Sequence, residues 1–144
     1  MRKLLFGLFL SAASLTAPAQ TVGVALNANT RDTVGVFTKV DVEADYPGGL
    51  PAWKQFLYSN LNPDPIASAL PKKTKYFEQT ARVQFIVCSD GTVCNVKVLN
   101  DVLPAVRREA ERVIRQSGTW VPAEQNGRKV KAYRTQPITF VITD

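Results

Sequence analysis

VQFIVCSDGTVCNVKVLNDVLPAVRREAERVIRQSGTWVPAEQNGRKVKAYRTQPITF, Val83 to Phe140, decides the fold. Ala81, Val83, Phe85 and Val87 alternate with Arg82, Gln84, Ile86 and Cys88, the period of two of a half-buried strand whose odd positions point inward. Asp90-Gly91 is a strong hairpin signal. The next apolar positions, Val93, Val96 and Val98, are spaced by three and then two, and that break of phase predicts a bulge near Cys94-Asn95. Asp101 is expected to cap a helix whose apolar positions Leu103, Val106, Ala110, Val113 and Ile114 keep three-and-four spacing until Ser117-Gly118 ends it. Beyond the Asn126-Gly127 turn, Val130, Ala132, Ile138, Phe140 and Ile142 share one face of a long alternation, and Lys131, Tyr133, Thr135 and Thr139 the other. Pro137 lacks an N–H, which confines this last strand to an edge or a bend.

Upstream, Tyr46-Pro47-Gly48-Gly49 turns the chain into a helix from Leu50 to about Asn60, with Pro51 tolerated in its first turn. Leu50, Trp53, Phe56, Leu57 and Leu61 form the stripe expected to face the core. Pro63, Pro65 and Pro71, with Lys72, Lys73 and Lys75, mark residues 62–79 as a surface connection with a short helical turn near Ile66 to Leu70. Residues 20–40 read as a flexible leader ahead of a domain over 41–144. The fold class expected is α+β, a two-layer sandwich with about three antiparallel strands and two helices on one face.

Arg2 and Lys3 precede an apolar run from Leu4 to Leu15, and Ala17-Pro18-Ala19 supplies the small residues of a signal-peptidase site. Residues 1–19 are therefore expected to be a cleaved signal peptide delivering the protein to the periplasm; the alternative is an inner-membrane anchor over residues 4–15. Cleavage removes Arg2 and Lys3, leaving 16 basic and 12 acidic residues, a net +4 against +6 for the whole chain. An exported protein of so low a charge is not expected to bind nucleic acid.

Cys88 and Cys94 flank the hairpin turn, and an oxidising compartment favours pairing. A two-residue turn would point the two sulfurs to opposite faces, whereas a bulge at Cys94-Asn95 puts both on the outer face. The bridged form is the expectation. The chain has no histidine, which removes the commonest general base and most zinc sites. Asp41, Glu43 and Asp45 read as a solvated stretch rather than paired catalytic carboxylates, so no catalytic residue, metal or cofactor is expected.

These residues together resemble a known family. Tyr46-Pro47-Gly48-Gly49, Phe85-x-Val87 before Asp90-Gly91-Thr92-Val93, Val96-x-Val98, Glu109-Ala110-x-x-Val113-Ile114, Trp120-x-Pro122-Ala123, Gly127-x-x-Val130 and Pro137-Ile138-x-Phe140 occur in the order and at the spacing of the TonB carboxy-terminal domain, as in Bacteroidetes-type energy transducers. The resemblance covers about residues 40 to 142. It implies helices on one face of a three-stranded antiparallel sheet, and recognition of an extended segment of an outer-membrane TonB-dependent transporter or related envelope protein as an added strand. The positions matching the receiving strand are Lys129, Val130, Lys131, Ala132, Tyr133, Arg134 and Thr135, with Tyr133 expected to be exposed. No Pro-rich linker precedes the domain, so the implied role is adaptor, competitor or modulator rather than motor. A secreted structural domain that self-associates as a homodimer through the same edge, or binds peptidoglycan, is the alternative.

Overall fold

The computed structural model describes residue 33 and residues 35–143; the expected signal peptide and most of the leader lie outside them. In chain order the elements are helix α1 (Gly49–Asn60), helix α2 (Asp64–Ala69), strand β1 (Tyr76–Val87), strand β2 (Val93–Val98), helix α3 (Pro104–Arg115), and strands β3 (Ala123–Gln125), β4 (Arg128–Val130) and β5 (Ala132–Thr143). The main sheet is antiparallel with strand order β2-β1-β5, and β3 and β4 form a separate two-stranded ribbon. This is the expected α+β arrangement, with the ribbon added.

β1 begins at Tyr76, five residues before the alternation that predicts it. Its first half pairs Tyr76–Thr80 with Thr143–Thr139, and the exposed Tyr76, Glu78 and Thr80 alternate with half-buried Phe77 and Gln79. The lysines and prolines just upstream hide that alternation in the sequence, and the surface connection is correspondingly shorter. Further along, Ala81, Val83, Phe85 and Val87 are wholly buried as expected. Ile86, on the opposite face, is buried as well, flanked across the ladder by Cys94 and Tyr133.

The hairpin keeps its predicted irregularity. Pairing runs Val87↔Val93 and Ile86↔Cys94, then shifts before Gln84↔Lys97, with Asn95 at φ 51°. Asp90 accepts hydrogen bonds from the hydroxyl (2.7 Å) and N–H (3.0 Å) of Thr92, which hold its carboxyl below the usual carboxylate range. Helix α3 starts later than expected: Leu103 is the N-cap and Pro104 occupies the first turn, so Asp101 does not cap it. Proline supplies the helical φ and needs no N–H partner there, which makes a side-chain cap dispensable.

Five rings join the helical layer to the sheet. Trp120, 2 % exposed, lies 4.9 Å from Phe85, 5.3 Å from Trp53 and 5.5 Å from Tyr46 between centroids, and Phe56 stacks on Trp53 at 5.5 Å. The indole N–H of Trp120 donates to the buried hydroxyl of Ser117 (2.8 Å), which donates onward to the Ile114 carbonyl (2.6 Å), so the polar tip is satisfied. Leu50 departs from its expected place: it is 61 % exposed, while Leu57 and Leu61 are half-buried against the core.

A polar clasp ties α1 to α3. Glu109, 5 % exposed, accepts the Asn62 N–H (2.6 Å) and pairs with Arg112 (2.6 Å), whose guanidinium also donates to the Asn60 carbonyl (2.6 Å). Burial alone would raise the Glu109 pKa, but the hydrogen bonds from Arg112 and Asn62 and the Arg112 charge outweigh it and leave the carboxyl below its usual value. A depressed folded-state pKa means the clasp stabilises fully above the ordinary glutamate range and is lost as pH falls through the lower folded-state value.

Gly91 sits at φ 87°, its carbonyl accepting the Trp120 N–H (2.9 Å), and a Cβ there would meet the Trp120 carbonyl oxygen at 2.3 Å. Gly91→Ala is expected to destabilise the fold by about 2 kcal/mol or more, since backbone strain and a backbone clash add. Chemical denaturation monitored by tryptophan fluorescence measures this; an unchanged midpoint would contradict the close approach.

Candidate partner-binding edge

β5 pairs with β1 along twelve consecutive positions, from Val87↔Ala132 to Tyr76↔Thr143, and is an edge strand of the main sheet. The expected receiving segment is divided. Lys129 and Val130 lie in β4 and pair with Glu124 and Ala123 across the Asn126-Gly127 turn, where both residues take positive φ (51° and 71°). Lys131 separates β4 from β5, and Ala132 to Thr135 open β5.

Residues upstream of α1 meet this edge. The Phe37 N–H donates to the Lys131 carbonyl (2.8 Å) and the Tyr133 N–H donates to the Phe37 carbonyl (3.0 Å), forming a parallel bridge opposite Ala132. Farther on, Asp41 and Val42 bond to Glu124, and Asp45 exchanges both backbone bonds with Val121 (3.1 and 2.8 Å). The acidic stretch is therefore built into the fold. Asp41 also accepts the Asn126 N–H (2.8 Å), and Glu43 lies 3.5 Å from Arg134. Sequence reading missed this pairing. The signal for it was the alternation of Val40, Val42, Ala44 and Tyr46 with Asp41, Glu43 and Asp45; Ala44 is fully buried and Val40 and Tyr46 pack on the core, although Val42 is exposed.

In an antiparallel ladder, successive residues direct both backbone groups to alternate sides. Tyr133 directs its N–H away from β1, so Thr135, Pro137, Thr139 and Val141 also face outward, whereas Ala132 faces Val87. Pro137, the residue without an N–H, thus falls where β1 loses no bond. From Thr135 onward no strand pairs with this outer side among the described residues. Tyr133, expected to be exposed, is half-buried beside Ile86. Arg134 lines a notch with Thr38, Glu43, Gln84, Tyr133 and Thr135, and its Nε is buried without a hydrogen-bond partner.

Cys88 and Cys94 are half-buried, with their Sγ atoms 3.6 Å apart across the bulged hairpin. Among the described residues no helix is long and apolar enough to cross a membrane.

The two sides of β5 make opposite predictions for proline. Ala132→Pro removes an inward ladder bond and is expected to cost about 1–3 kcal/mol. Tyr133→Pro removes only the outward bond to Phe37. Hydrogen exchange should show β1 protection weakened in the first variant and retained in the second, where only the Phe37 N–H, whose bond to the Lys131 carbonyl loses its neighbouring bond, exchanges faster.

Residues 75–142 match the model of the family described as Gram-negative bacterial TonB protein C-terminal. That is narrower than the resemblance read from the sequence, beginning one residue before β1 and leaving α1, α2 and the Tyr46-Pro47 turn outside. Searches of curated proteins and of solved structures each gave no match. The match spans the hairpin, α3, the β3–β4 ribbon and nearly all of β5, and residues 75–142 belong to the TonB C-terminal family, a non-catalytic binding and energy-transduction module of the bacterial envelope whose members interact with outer-membrane TonB-dependent transporters.

Proposed function

We propose that this protein binds an extended segment of an outer-membrane TonB-dependent transporter, or of a related envelope protein, by adding it as a strand to the outer side of β5. The observation that carries this reading is the one-sided ladder: β5 is bonded to β1 over its whole length, yet from Thr135 its outward backbone groups meet no strand among the described residues. Main-chain bonds to such an edge supply affinity, and alternate side chains supply selectivity. The Lys129 to Thr135 segment contributes through its last residues, Arg134 and Thr135, with Phe37 standing at the upstream limit of the free edge. The role is that of an adaptor, competitor or modulator of transport.

Thr139 is exposed and outward-facing, so Thr139→Pro should leave the β1 ladder in place and remove an N–H from the binding side. Titration of the full chain with plug-end peptides of transporters from the same cell should give binding that weakens at least about tenfold in this variant, the loss of one to two main-chain bonds. Undiminished binding by a folded variant would sink strand addition.

Export accompanies this reading: residues 1–19 act as a cleaved signal peptide, and Cys88 and Cys94 join once in the periplasm, stiffening the hairpin. The intact mass of protein recovered from the periplasm should correspond to a chain starting at Gln20 and lighter by two hydrogens. A chain retaining Met1, or one with both thiols alkylatable, would contradict the respective half of the proposal.

A further inference from the structure

The helix-facing rim of the free β5 edge is not flat. Against Pro137–Thr139, α1 places Lys54, Leu57, Tyr58 and Leu61 around a pit of about 220 Å³. Against Ile142–Thr143, the end of α2 and the turn after it place Leu70, Pro71 and Lys72 around a second pit of about 320 Å³. The two are centred about four residues apart along β5, or about 13 Å. That is the distance between residues i and i+4 of an extended chain, which point to the same side. Tyr58, which lines the first pit, is 85 % exposed.

The charge of the trough is one-sided. Each pit carries one lysine, Lys54 in the first and Lys72 in the second, and neither is lined by an Asp or Glu. Neither ammonium takes part in an ion pair among the described residues. Upstream on the same strand, Arg134 keeps a buried Nε without a partner and only a 3.5 Å contact to Glu43.

Resting on the strand-addition reading, we infer that the segment this edge selects is an acidic extended peptide carrying two small apolar side chains four residues apart. The apolar side chains fill the two pits, and carboxylates two residues from them, on the same side of the added strand, reach Lys54 and Lys72. Exposed ion pairs are individually weak, so the pair of lysines is expected to supply about a tenfold preference, reduced as salt screens it.

The probes are two synthetic fluorescent decapeptides with valines four residues apart, one with glutamates two residues to either side of the valines and one with lysines there, titrated against the full chain. The glutamate peptide should bind about tenfold more tightly at low salt, and Lys54→Glu combined with Lys72→Glu, both exposed positions, should reverse the preference. Tyr58→Ser should weaken both peptides. A third probe, the glutamate peptide with alternate amides N-methylated, should not bind. Equal binding of the two charged peptides, or a preference unmoved by the lysine variants, overturns the inference even where N-methylation abolishes binding and strand addition therefore stands. Binding that survives N-methylation, or no binding by any peptide, overturns strand addition and this inference with it.

Discussion

The β1–β5 ladder is the constraint on which the other parts of this molecule depend. It joins residue 76 to residue 143 and residue 87 to residue 132, so the whole of β2, α3 and the β3–β4 ribbon is a loop closed by it. Non-local pairing of that kind costs loop-closure entropy, and the return comes from burial of the shared inner face: Ala81, Val83, Phe85 and Val87 on one strand, Ala132, Ile138 and Phe140 on the other. Because β1 is paired on both sides, any further strand can join the sheet only at β2 or β5. The path of the chain thereby decides which sheet edges stay open before any side chain is considered.

The aromatic cluster fixes the second layer on the first. Trp120 follows α3, yet it contacts Phe85 on the sheet and Trp53 and Tyr46 from the upstream helix and its entry turn, so one residue couples three parts of the chain. The Glu109–Arg112 clasp does similar work at the other end of α1, using charge where the rings use area. Together they hold α1 beside β5, and this is why the free edge has a wall on one side.

Most of the sheet was legible in the sequence because its signals are local. Alternation at Ala81 to Val87, the Asp90-Gly91 turn and the change of phase at Cys94-Asn95 each correspond to observed backbone geometry. Pro137 was equally informative, since a missing N–H constrains which side of a strand can be paired. What was not legible depended on distant pairing. Tyr76–Thr80 is a strand because Thr139–Thr143 lies opposite it, and Asp41 to Asp45 is ordered because Val121 and Glu124 offer backbone groups. The segment from Lys129 to Thr135 reads in the sequence as one strand, and its division into β4, Lys131 and β5 was not legible, since β4 pairs with β3 and β5 with β1 and no breaker residue marks that change of partner.

Pro137 has a consequence for the colloidal behaviour of the protein. A flat twelve-residue edge would be a template on which identical molecules could stack. Here the outward N–H groups run Thr135, a gap, then Thr139 and Val141, so a chain with no matching side chains finds only short, interrupted ladders. Backbone adhesion alone is thereby kept weak. One imino acid thus leaves the edge open without making it a continuous template for stacking.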